Sequence, residues 1–102
     1  MPKLFEYLGL VVYFYSEEHD PIHVHGEYQG RESKAEIIIS EGEIVEIRIV
    51  RVKGRPPLTG PKLNDFVTLV EHHAEEIVEL WVDYFVRHRQ VQQPRKITRR
   101  IK

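Results

Sequence analysis

Hydrophobic residues change their spacing once along the chain, near residue 60. Before that point they alternate with polar residues, as in strands. After it they recur every three or four positions, as in helices. The run 8–15 is apolar on both parities and rich in β-branched and aromatic side chains, which predicts a strand buried on both faces. Residues 16–21 break the pattern, and Pro21, which cannot donate to a ladder, marks the end of that loop. From 22 to 28 the alternation returns. Ile22, Val24 and Tyr28 share one parity, and His23, His25 and Glu27 share the other. Gln29-Gly30 suits a turn. Residues 34–40 form a third strand with Ala35, Ile37 and Ile39 on one face. Glu41-Gly42 suits a tight hairpin turn. The fourth strand, 43–52, places Val45, Ile47 and Ile49 inward and Glu46 and Arg48 outward, with a phase slip near Val50 that predicts a bulge.

Prolines and glycines between 54 and 61 end all periodicity. Leu63, Phe66, Val67, Val70, Ala74, Ile77, Val78, Trp81, Tyr84 and Phe85 then follow a helical period. The stripe runs through His72-His73, which leaves one long helix or two short ones equally open. Pro94 lies past the end of the helix. Four strands followed by helix imply an α+β domain: a four-stranded, mainly antiparallel sheet with helix packed on one face. Its other face is expected to meet water or a partner. Residues 1–89 read as one domain and residues 90–102 as a basic C-terminal tail.

Composition narrows the function classes. The chain has 102 residues and no cysteine, so disulfides, thiolate metal sites and a cysteine nucleophile are excluded. The first residues lack a signal-peptide layout, and no apolar run approaches the ~20 residues that cross a bilayer. A cytoplasmic location away from membranes is the default expectation. The net charge of −1 hides an asymmetry: all 16 acidic residues lie within 1–86, while 87–102 holds 7 of the 15 Lys and Arg. Such a block suits a solvated tail or a polyanion contact. It marks Arg95, Lys96, Arg99 and Arg100, together with Arg48, Arg51 and Arg55 from an acid-free stretch, as candidates for binding RNA or a partner protein. Gly-rich phosphate loops, nucleophile elbows and the H-E-x-x-H pattern are all missing from the sequence.

Chemically capable residues concentrate in one place, His19-Asp20-Pro21-Ile22-His23-Val24-His25. His23 and His25 are two apart on a strand and project from the same face. With His19 and Tyr28 nearby they could serve as general acid and base near neutral pH, with Arg48 or Arg31 stabilising a charged phosphorane-like state in metal-independent RNA cleavage. The same pair, His23 and His25, with one further ligand, could hold Zn²⁺ or another divalent metal. No cofactor is otherwise expected. The bland alternative makes these histidines the ordinary polar parity of an amphipathic strand. By the same logic, His72 and His73 read as helix-capping residues and Trp81 as core.

Two motifs carry a family resemblance. Tyr13-Phe14-Tyr15, the spaced residues His19, Pro21, His23 and His25, and then Glu27-Tyr28 resemble the signature of the bacterial domain of unknown function 4160. In the helical region His73, Glu76, Ile77 and Trp81 resemble that family's H-x-x-E-L-x-x-x-W. Two positions depart from the pattern: Ile22 stands where the family usually has a second proline, and Gly26 where it has valine. The resemblance implies a prokaryotic cytoplasmic protein, often encoded beside another small protein (domain of unknown function 2442) in pairs labelled toxin–antitoxin-like. The leading expectation is therefore a small interaction module that binds a partner protein or RNA. An enzyme or a metal-binding domain built on the histidines is the alternative, and association with a second copy of the chain is compatible with any of these.

Overall fold

A computed structural model describes residues 2–14, 21–91 and 93–101. Strands β1 (Lys3–Tyr7), β2 (Leu10–Tyr13), β3 (His23–Tyr28), β4 (Arg31–Ser40) and β5 (Glu43–Arg51) are followed by helices α1 (Gly60–His72) and α2 (Ala74–Trp81). A π-helical turn (Val82–Val86) and a short strand β6 (Arg95–Ile97) complete the order. The sheet runs β5-β4-β3-β2-β1-β6, antiparallel throughout except for the parallel β1–β6 pair. The α+β class, with strands first and helices after, is as the pattern predicts, and the helical stripe resolves into two helices. Among the described residues no helix is long and apolar enough to cross a membrane.

The strand count is six, not four, and each difference has a local cause. The predicted strand at 8–15 begins later, because Leu8 and Gly9 form a tight turn with φ of 52° and 89°. The reversal puts β1 beside β2. β1 itself was hidden by an irregularity between Lys3 and Phe5 that places consecutive Leu4 and Phe5 both in the core. The bulge of the hairpin lies at Val45 rather than near Val50: Ile38 pairs with Glu46 and Ile39 with Ile44, which leaves Val45 as the extra residue. Val45 is therefore 60% exposed rather than inward. The basic C-terminal segment contributes residues 95–97 to the sheet as β6.

Parity divides the sheet into two faces. On one, Phe5, Tyr7, Leu10, Val12, Phe14, Val24, Ala35 and Ile37 pack against Phe66, Leu69, Val70, Ile77 and Trp81 from the helices. Gly26 belongs to this face. A Cβ at Gly26 would lie 2.5 Å from the Phe66 ring, so only glycine lets α1 approach this closely. The helices carry the chain from the β5 edge across to the β6 edge, about 24 Å at ordinary strand spacing. Their cover is uneven. Ile39 and Ile49 share the apolar parity, yet they remain 39% and 37% exposed at the β5 end.

Candidate functional site

Histidines 23 and 25 do share one face of β3, as their spacing requires, but that face is not open at this point. His23 is 3% exposed and His25 1%. Their neighbours follow from the turn at Gln29-Gly30, whose φ values of 48° and 79° fit a two-residue hairpin. That turn sets Glu27 opposite Glu32 and His25 opposite Lys34. Glu32 is then the diagonal neighbour of His25, within reach of a long side chain. Its carboxylate accepts a hydrogen bond from His25 Nδ1 at 2.9 Å, and both side chains are buried.

Charge is balanced around this bond. Arg55, from the connector after β5, lies 3.3 Å from the other Glu32 oxygen, donates to Glu27 at 3.2 Å, and reaches the Gly30 carbonyl at 3.3 Å. A buried carboxylate is costly unless its oxygens are matched, and here His25 and Arg55 match one oxygen each. Donation from Nδ1 orients the His25 ring toward Glu32. His23 is oriented in the same way, its Nδ1 donating to the Pro21 carbonyl at 2.6 Å. The His23 and His25 ring centroids are 5.3 Å apart, edge to face, and Tyr13 stacks on His25 at 5.7 Å.

Other sequence candidates fall elsewhere. Tyr28 projects from the opposite face, where the Lys62 ammonium sits 4.6 Å over its ring, so it does not converge with the histidines. His19 lies outside the described residues. Among those described, no group of three or more His, Asp or Glu side chains is arranged to hold a metal ion. Arg31 donates to the Pro57 carbonyl at 3.2 Å. Arg48 shares the histidine face two strands away, about 10 Å at ordinary strand spacing, through the row His23, Glu36, Arg48. It pairs with Glu46, whose hydrogen bond and charge push the guanidinium above its usual value.

The basic candidates do not gather into one patch. Arg48 and Arg51 lie on β5 at one edge, and Arg95 and Lys96 on β6 at the other. Much of the C-terminal charge also folds back on acids. Arg95 meets Glu76, Lys96 lies 3.8 Å from Glu6, and Arg100 is 2.5 Å from the buried carboxylate of Asp65. Arg99 is exposed.

The sequence reading does not pick out Glu32 or the groove; hairpin arithmetic from Gln29-Gly30 places Glu32 next to His25. His73 does cap: it closes α1 through its backbone N–H to Leu69 and opens α2 through its carbonyl to Ile77. It also borders a groove between the helices and the β4–β5 hairpin. The groove is two adjoining hollows of about 470 and 410 Å³ that share Ile44 and Glu75. Its floor is Ile39, Ile44, Ile47 and Val78, and its rim carries Glu43, Glu71, Glu75 and Glu76.

The model of the domain of unknown function 4160 matches residues 9–82. The chain belongs to that family. The match starts at Gly9, in the turn before β2, and ends just past α2. It therefore contains the histidine network, the groove and the whole β4–β5 hairpin, and leaves out β1 and β6. No curated protein and no solved structure matches.

Proposed function

We propose that this domain is a cytoplasmic protein-interaction module, one half of a two-protein, toxin–antitoxin-like pair, that grips a basic segment of a small partner protein in the groove between α1–α2 and the β4–β5 hairpin. One observation carries the reading: the β4–β5 hairpin exposes Ile39, Val45 and Ile49, and Ile39 joins Ile44, Ile47 and Val78 in lining a hollow rimmed by carboxylates. Isolated exposed apolar residues need no explanation, but a group beside a hollow marks a binding surface. Glu76 is already met by Arg95, but Glu43, Glu71 and Glu75 on the rim favour a cationic occupant and oppose a polyanion. Protein therefore suits this surface better than RNA, and the internal pairing of Arg95, Lys96 and Arg100 points the same way.

Fluorescence anisotropy tests the groove with a peptide of about ten residues that alternates leucine and lysine. Binding that weakens as salt rises is expected, with no binding of the leucine–glutamate counterpart. The double substitution Glu71→Lys/Glu75→Lys should lower affinity about tenfold. Equal binding of both peptides, or an RNA oligonucleotide bound more tightly than the lysine peptide, would overturn the reading.

A second reading rests on the His25–Glu32 bond. A carboxylate that orients an imidazole through Nδ1 is how a general base is held, so His25 with His23 beside it could serve a small RNA-cleaving hydrolase. It requires access to a ring that is 1% exposed. Cleavage of a quenched fluorescent RNA should fall about 10²–10⁴-fold in His25→Gln if the ring is a catalytic base. Unchanged cleavage by folded His23→Gln and His25→Gln chains would end this reading.

A further inference from the structure

β5 is an edge strand of nine residues. Among the described residues it pairs only with β4, and its outer side is open. An open edge of this length is a template for another strand, and natural proteins blunt such edges with charge, proline, bulges or brevity; β5 has one bulge, at Val45, and pairs regularly from Glu46 to Arg51. β6, at the opposite edge, is three residues long. β5 has no proline, and its charges are of mixed sign in a particular order: Glu43, Glu46, Arg48, Arg51.

That order is self-complementary. Turned end over end about Ile47, the strand meets itself in antiparallel register. Ile47 then opposes Ile47 of a second copy, Glu46 opposes Arg48, and Arg48 opposes Glu46. Glu46 and Arg48 already lie 3.2 Å apart within one chain on the face away from the helices, so two copies would interleave four alternating charges. On the helix side, passing over the bulge residue Val45 brings Ile44 beside the exposed Ile49 of the second copy. The Ile44, Ile47 and Ile49 stripe would then run unbroken across the two-fold axis. Single-sign charge on the edge would have repelled a second copy, whereas this arrangement attracts one.

We propose that β5 pairs with β5 of a second copy of this chain, making an isologous dimer with one sheet continuous across both subunits. The pairing needs no occupant in the groove, but it covers Ile49, one of the three exposed residues on which the partner-binding reading rests. It covers the row of open backbone donors and acceptors, together with Ile49, which the helices leave bare.

Sedimentation velocity from about 10 µM to about 0.5 mM spans the range in which a modest interface associates. The wild-type chain is expected to dimerise in that range. Glu46→Arg and Arg48→Glu each place like charges opposite each other at two positions of the dimer, and each should weaken self-association about tenfold or more. Mixing the two variants restores both attractions, so the equimolar mixture should form a heterodimer while neither variant dimerises alone. Both side chains are exposed, and circular dichroism checks that the variants fold. If either single variant fails to fold, Glu46→Arg/Arg48→Glu in one chain preserves the internal pair and should dimerise as the wild type does. Glu71→Lys/Glu75→Lys, on the groove rim, should leave dimerisation unchanged. A wild type that stays monomeric throughout, single variants that associate as well as it does, or a mixture that stays monomeric would each overturn the proposal.

Discussion

Over β1–β3 the helix face is fully covered and the polar face is buried around His23, His25 and the neighbouring Glu32; at the β4–β5 end the helices fall short. The closed end buries Phe5, Val12, Val24 and Phe66 completely on one face and His23, His25 and Glu32 almost completely on the other. The open end leaves Ile39, Val45 and Ile49 more than a third exposed on a strand pair that is otherwise regular. What separates the two ends is where the crossover from β5 to β6 lays its helices. The histidines drew notice as candidate chemistry, yet they lie at the end whose groups are matched internally. The surface with unmet apolar area lies at the other end.

The largest expected effect probes the closed end. Phe66 is fully buried, and its ring occupies the space left by the absent side chain of Gly26. Phe66→Ala should cost about 3–5 kcal/mol by urea unfolding, since it deletes an aromatic ring and leaves a cavity that glycine cannot fill. A loss below about 1 kcal/mol would show that α1 does not pack on β3 as described, and the contrast between the ends would fall.

The alternation of apolar residues made the strand-then-helix order, the faces of β3 and β4, and the α2 stripe legible before any coordinates. Three things were not legible. β1 was masked because the irregularity at Leu4 spoils its alternation, and the Leu8-Gly9 turn was masked because leucine seldom adopts a positive φ. The inward assignment of Val45 failed because one extra residue flips parity, and hydropathy alone places that slip only loosely. At the site, the shared face of His23 and His25 followed from spacing. The burial of that face did not, because burial depends on what the rest of the chain lays across it. Arg55, 30 residues from His25 in sequence, reaches Glu32 through a turn-rich connector with no periodicity to read.

An intermediate effect is expected at the histidine network. Glu32→Ala removes the acceptor of the His25 Nδ1 proton and one partner of Arg55. A buried donor that loses its acceptor costs about 1–3 kcal/mol. The comparison is Glu46→Ala on the exposed face of β5. That pair is open to solvent, and its loss should be too small to measure in the monomer. Equal destabilisation by the two substitutions would mean that the polar face of β3–β4 is as wet as that of β5, which would remove the distinction between the ends.

The smallest effect falls at the open end, and its size depends on protein concentration. Val45 is the bulge residue and is 60% exposed. Val45→Thr keeps the branched shape and changes only polarity, so unfolding of the dilute chain should shift by no more than about 0.5 kcal/mol. Concentrating the protein changes the question, because a strand pairing at β5 adds stability that grows with protomer concentration. The wild type should then gain thermal stability on concentration, and Val45→Thr should gain nearly as much, because the pairing passes over that residue. Ile47→Lys sets two like charges against each other at the two-fold axis and should gain nothing. A chain whose melting temperature ignores concentration, with Val45→Thr already costing well over 1 kcal/mol when dilute, would mean that the hairpin is covered within the monomer. The open end would then be closed by its own chain, and the contrast between the two ends of the sheet would vanish.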